Sequence, residues 1–74
     1  QSFFSEKERN IIQMICKGIS SQKIADELHR SIRTIESNRK NICRKINAKN
    51  VADIINYAIR HKIYIPDEID INPG

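Results

Sequence analysis

Ser20-Ser21-Gln22-Lys23-Ile24-Ala25-Asp26-Glu27-Leu28-His29-Arg30-Ser31-Ile32-Arg33-Thr34-Ile35-Glu36-Ser37-Asn38-Arg39-Lys40 is the stretch whose reading decides the fold. Two serines stand where helices begin. Ser20 precedes Ile24, Ala25 and Leu28, an apolar face at helical spacing, and predicts a short helix of about 21–28. Ser31 predicts a second cap and a longer helix of about 32–46, with Ile32, Ile35, Ile42 and Ile46 on its buried side. Only His29 and Arg30 separate Leu28 from that cap. Two helices joined so tightly, the second of them basic, have the layout of a helix-turn-helix.

Working outward, Ser5-Glu6-Lys7-Glu8 predicts a capping box. The Ser5 hydroxyl accepts from the amide three residues on, and the Glu8 carboxylate reaches back to the Ser5 amide. Ile11, Ile12, Ile15 and Cys16 follow at helical spacing, and Gly18 suits the left-handed residue past a helix end, giving a first helix of about 6–17. Asn50 caps a fourth helix, with Asp53 placed to close a weaker box. Pro66 ends regular structure, and the acidic tail Asp67–Gly74 is expected to be poorly ordered. No strand-like alternation or internal repeat is present, so the expected fold is all-α, four short helices around one core.

At 74 residues there is room for one domain, and a chain this short buries only about 60% of its unfolded surface. It starts at Gln1 rather than Met, which suits a piece of something longer. No apolar run approaches the roughly 18 residues that span a bilayer, and no signal peptide is visible, so a cytoplasmic place and no membrane partner are expected. The two cysteines, Cys16 and Cys43, read as reduced thiols. Together with His29 and His61 they are too widely separated for a zinc site, so no metal and no cofactor are expected. No nucleophile–base arrangement and no phosphate-cradling glycine loop is present, and the chain does not read as an enzyme.

The net charge of +4 is modest, but its distribution is uneven. Residues 29–49 hold seven bases against Glu36 alone, whereas residues 1–28 balance and residues 50–74 are net acidic. A central basic segment is the electrostatic footprint of a nucleic-acid binder; it is equally what a solvated helix face looks like. Counting along the third helix, Arg33, Glu36, Ser37, Lys40 and Arg44 point opposite to Ile35, Ile42 and Ile46. A polar and basic stripe on a short capped helix is what insertion into a major groove needs.

The blocks Gly18–Ala25, Leu28, Ser31–Glu36, Arg39–Ile42 and Lys45-Ile46, with Phe4–Arg9 before them and Asn50–Ala58 after, resemble the LuxR-type (GerE-type) DNA-binding domain. That domain is also the effector of NarL/FixJ-like response regulators of two-component systems. The resemblance runs over about residues 3–64, which sets the domain at 1–64 and the tail at 65–74. It implies binding of pseudo-palindromic promoter DNA as a homodimer through the fourth helix, in transcription regulation, with the domain at the C-terminus of a longer regulator and RNA polymerase as a further partner. Carried over by position, Glu36, Ser37 and Lys40 are the candidates for base contact. The alternative for two of them is a plain Glu36–Lys40 pair at i, i+4.

Candidates for contact with the DNA backbone are Ser20, Ser21, Lys23, Arg33, Thr34, Arg39, Arg44 and Lys49. The first three sit where free amides and the helix dipole favour an anion. On the fourth helix, Ile54, Tyr57, Ala58 and His61 are expected to face the core, leaving Val51, Ala52, Ile55 and Ile59 as a dimer stripe. A core that takes both sides is the alternative. Two positions depart from the family pattern. Arg30 replaces a usual apolar residue and is expected to alter the turn or add a phosphate contact. Asn38 replaces a frequent His and is expected to change groove contacts.

Two other functions compete. One is the promoter-recognition domain of a sigma factor, which needs RNA polymerase but no palindrome. The other is a helical protein–protein adaptor with a basic face; an aromatic anchor would favour it, and the aromatics are only Phe3, Phe4, Tyr57 and Tyr64.

Overall fold

A computed structural model describes residues 3–66. Four helices follow one another: α1 (Glu6–Cys16), α2 (Ser21–Leu28), α3 (Ile32–Ile46) and α4 (Val51–Arg60). Each begins at the residue that local chemistry selects. Ser5, Ser20, Ser31 and Asn50 all hold extended backbone, and the side chain of each accepts from the amide three residues on. These bonds satisfy donors that the first turn of a helix leaves without partners. At Ser5 the box is complete, since the Ser5 amide donates to Glu8 Oε1 at 3.0 Å. At α4 the return bond is displaced by one residue. Asp53 Oδ2 accepts from the amide of Lys49, at 2.7 Å, rather than from the capping Asn50.

The helices stop as locally as they start. Gly18, at φ 82, turns the chain after α1 in the left-handed region that glycine tolerates. His29 (φ 55) and Asn47 (φ 58) close α2 and α3 in the same region without glycine. The Arg30 amide then donates to Ala25 O and the Ala48 amide to Cys43 O, each at 2.9 Å. These bonds use up carbonyls of the last turn. His29, Arg30 and Ser31 thus make a tight corner that sets α3 across α2.

The core is aliphatic. Ile11, Ile12, Ile24, Ile35, Ile42 and Ile54 are fully buried, with Phe4, Ile15, Ala25, Ala58 and Ile63 beside them. No polar or charged residue among those described is buried with them. α1 packs chiefly on α4, and α2 on α3, and lighter contacts of α1 with α2 and α3 and of α3 with α4 join the two pairs.

Four expectations are corrected. Ile32, placed on the buried side of α3, is 43% exposed, because in the first turn nothing lies over it. His61 does not enter the core. It caps α4 in the exposed position and stacks on Tyr57, with ring centroids 4.0 Å apart. Regular structure ends at Arg60, well before Pro66; the chain then folds back, buries Ile63, and accepts a 2.9 Å bond from Gln13 Nε2 at the Ile63 carbonyl. Asn38 turns from the expected groove side toward α1, as described below. The acidic tail lies, from residue 67 on, outside the described residues.

Candidate nucleic-acid interface

α3 is a 15-residue helix with two faces. Side chains advance by about 100° per residue, so Ile35 and Ile42 share one direction, while Arg33, Glu36, Ser37, Lys40 and Arg44 fall on the opposite arc. The structure keeps this division. Ile35 and Ile42 are fully buried, and all five outward residues are exposed. Burying the isoleucines is therefore what fixes the orientation of the outer row.

The outer row is chemically free. Glu36, Ser37 and Lys40 make no side-chain hydrogen bond or ion pair among the described residues, and the i, i+4 pair of Glu36 with Lys40 is not formed. Arg44 donates weakly, at 3.3 Å, to Asn41 Oδ1. Toward the C-terminal half of α3 the surface hollows into a groove of about 490 Å³, lined by Glu36, Arg39, Lys40, Cys43 and Arg44 and closed by Asn47 and Ala48. Three cations and one carboxylate around a concavity open to solvent suit an anionic chain better than an apolar ligand.

The expected backbone-contact residues divide into three groups. Ser20 is committed to its cap, accepting from the Lys23 amide at 3.2 Å, yet remains exposed beside half-buried Ser21 and exposed Lys23 at the start of α2. Thr34 is half-buried, and its hydroxyl shares a 3.0 Å hydrogen bond with the Ser31 hydroxyl, which ties it to the N-cap of α3. Arg33, Arg44 and Lys49 are exposed, and Arg39 is half-buried in the wall of the groove. The tight turn sets the first turn and outer row of α3 directly after α2, whose own start carries Ser20, Ser21 and Lys23. Lys49 lies beyond the far end of α3, next to the Asn50 cap.

Lys45 is the basic residue of α3 that does not belong to this face. Its ammonium lies 3.0 Å from Glu8 Oε1 and 3.3 Å from the Phe3 carbonyl, with the Phe4 ring centroid 5.1 Å away. Its partners lie about 40 residues away along the chain, and no local pattern announces such a contact. The Glu8 carboxyl is pushed up by burial, but the Ser5 amide and Lys45 outweigh this and hold it below its ordinary value. The Cys16 thiol is pushed up by burial, away from the reactive thiolate.

On α4 the expected second stripe is present in part. Val51 and Ile59 are 41% and 44% exposed, Ala52 is exposed, and Ile55 is half-buried. Ile54 and Ala58 face the core, with Tyr57 half-buried beside them. Among the described residues there is no cluster of metal-ligating side chains, and no helix is long and apolar enough to cross a membrane.

Comparison with known proteins agrees with this geometry. Residues 2–58 match the family described as bacterial regulatory proteins, luxR family. The chain is 32% identical over 59 residues to the oxygen regulatory protein NreC of Staphylococcus carnosus, and 30% identical to that of Staphylococcus aureus. It covers 27% of the length of these relatives, and the matched segment is 80% of this chain. A solved structure described as the transcription factor GerE superposes with a TM-score of 0.82 at 22% identity, covering 88% of this chain and 97% of that one. The fold is accordingly the all-α helix-turn-helix of GerE, and the chain belongs to the luxR family of bacterial regulatory proteins.

Proposed function

We propose that the chain binds double-stranded promoter DNA sequence-specifically in transcription regulation, with α3 in the major groove. The observation that carries this reading is the outer row of α3. Glu36, Ser37 and Lys40 stand exposed and unpartnered between Arg33 and Arg44, on a helix whose other face is locked into the core. Lys40 matches guanine O6 and N7, Glu36 can accept from cytosine N4, and Ser37 suits either base edge. Ser20, Ser21, Lys23, Arg33, Thr34, Arg39, Arg44 and Lys49 hold phosphates, which supplies salt-dependent affinity and fixes register.

Val51, Ala52, Ile55 and Ile59 of α4 form the contact between two copies, placing two α3 helices about one DNA turn apart on an inverted repeat. That the chain spans 27% of the length of the NreC relatives supports a place as one domain of a longer regulator; in this reading it is the C-terminal output domain of a response regulator working in the cytoplasm beside RNA polymerase. The test is selection from a pool of randomised duplexes at two salt concentrations, for the wild type and Lys40→Ala. Convergence on an inverted repeat, with one position relaxed by Lys40→Ala, supports the reading. Retention without sequence preference at both salts refutes it.

A further inference from the structure

Arg30 and Asn38 line the same cleft. The cleft measures about 220 Å³ and lies between the start of α1, the α2–α3 turn and the middle of α3. Lys7 and Arg30 supply positive charge to its wall, while Ile11 and Ile35 are fully buried in its floor beside Leu28. No carboxylate lines it, and neither Lys7 nor Arg30 has an ionic partner among the described residues. Asn38 follows Ile35 by three residues and precedes Ile42 by four, so it faces α1 rather than the outer row. Its Nδ2 is withdrawn from solvent and has no hydrogen-bond partner. Folded proteins rarely leave such a donor without an acceptor.

We propose that this cleft binds a carboxylate carried on a short aliphatic stem. The carboxylate lies between Lys7 and Arg30 and accepts from Asn38 Nδ2 once the terminal amide rotates toward it. The stem rests on Ile11, Leu28 and Ile35. The chemistry joins a charge-assisted hydrogen bond to apolar contact; Lys7, Arg30 and the three apolar residues are already in place, and only the Asn38 amide has to turn. The cleft is behind α3, away from Glu36, Ser37 and Lys40, so it is independent of the DNA reading.

Two sources fit. One is a free small organic acid. The other is the chain itself, whose Asp67, Glu68 and Asp70 follow Pro66 in sequence. The Ile63 carbonyl is bonded to Gln13 of α1, the helix that also contributes Lys7 and Ile11.

The test uses amide NMR spectra of the isotopically labelled chain, titrated with sodium butyrate and, as control, sodium chloride at matched ionic strength. It compares the wild type, Arg30→Ala, Asn38→Leu and a chain ending at Pro66. A saturable butyrate shift at the Asn38 side-chain amide, weakened about tenfold by Arg30→Ala, supports the site. In Asn38→Leu the Lys7 and Ile11 amides then respond less, while the rest of the spectrum stays folded. If the chain's own acids are the source, ending it at Pro66 shifts Asn38 by itself and tightens butyrate binding; if a free acid is the source, it changes neither. Butyrate shifts equal to those of chloride, unaltered by Arg30→Ala, together with an Asn38 signal indifferent to the truncation, overturn the proposal.

Discussion

The Lys45 ammonium sits 3.0 Å from Glu8 Oε1, joining the last turn of α3 to the first turn of α1. The Glu8 side chain is 14% exposed and that of Lys45 37%. Glu8 is also the second half of the Ser5 box, so one carboxylate closes a cap and holds a distant helix. Because Lys45 is over a third in solvent, a double-mutant cycle of Glu8→Gln and Lys45→Met is expected to give a coupling of only about 0.5–1 kcal/mol. Urea unfolding of the four proteins measures it, and a coupling near zero removes the tie.

The same pair sets a pH dependence. The folded Glu8 carboxyl lies below its ordinary value, so its contribution is present above the unfolded pKa and is lost as pH falls through the folded one. The stability gap between wild type and Glu8→Gln should therefore be full near neutrality and shrink in acid, below the ordinary carboxylate range. A gap that stays constant across that window would mean that Glu8 acts without its charge.

On DNA, Lys40→Ala is expected to relax one base position and cost about 1–3 kcal/mol at the preferred site. Arg44→Ala should instead weaken all sequences alike and lower the salt slope by about one. Binding isotherms at several salt concentrations on matched and mismatched duplexes separate the two behaviours.

Replacing Ile59 by Asp puts a charge on the apolar stripe of α4 while leaving Ile54 and Ala58 in the core. Stability of the single copy should change by no more than about 0.5 kcal/mol, as for other surface positions. Binding to a half-site should persist, and cooperative binding to an inverted repeat should be lost. Mobility-shift titrations on the two duplexes read the difference; unchanged cooperativity would place the dimer contact elsewhere.

The isoleucines of α3 offer a direct contrast. Ile42→Ala, at a fully buried position, should cost about 2–5 kcal/mol and unfold much of so small a domain. Ile32→Ala, at a 43% exposed one, should cost far less. Thermal unfolding followed by circular dichroism distinguishes them, and equal losses would contradict the packing described for the first turn.

The four helix starts and the ends of α1, α2 and α3 were legible because each is decided within four residues. A hydroxyl or amide side chain caps, and a left-handed residue closes, without reference to the rest of the chain. The two faces of α3 were legible for a similar reason, since the period alone separates Ile35 and Ile42 from Lys40. What escaped was decided at a distance. Ile32 has the right period and no neighbour above it. Asn38 sits where the wheel turns toward α1, Lys45 looks like any other basic residue until Glu8 is beside it, and Ile63 is buried by a chain reversal after α4. The candidate interface was thus readable as a set of residue types, while the tie of Lys45 to Glu8 required the fold.

The aromatic rings have a practical consequence. Phe4 meets Tyr57 edge-on with centroids 6.0 Å apart, and His61 stacks on the same tyrosine. The chain has no tryptophan and only two tyrosines. With Tyr64→Phe leaving Tyr57 as the single tyrosine, its ultraviolet signal becomes a built-in gauge of whether α4 is seated on the segment that leads into α1. A label-free optical measurement can follow that seating while a second copy or a duplex is added.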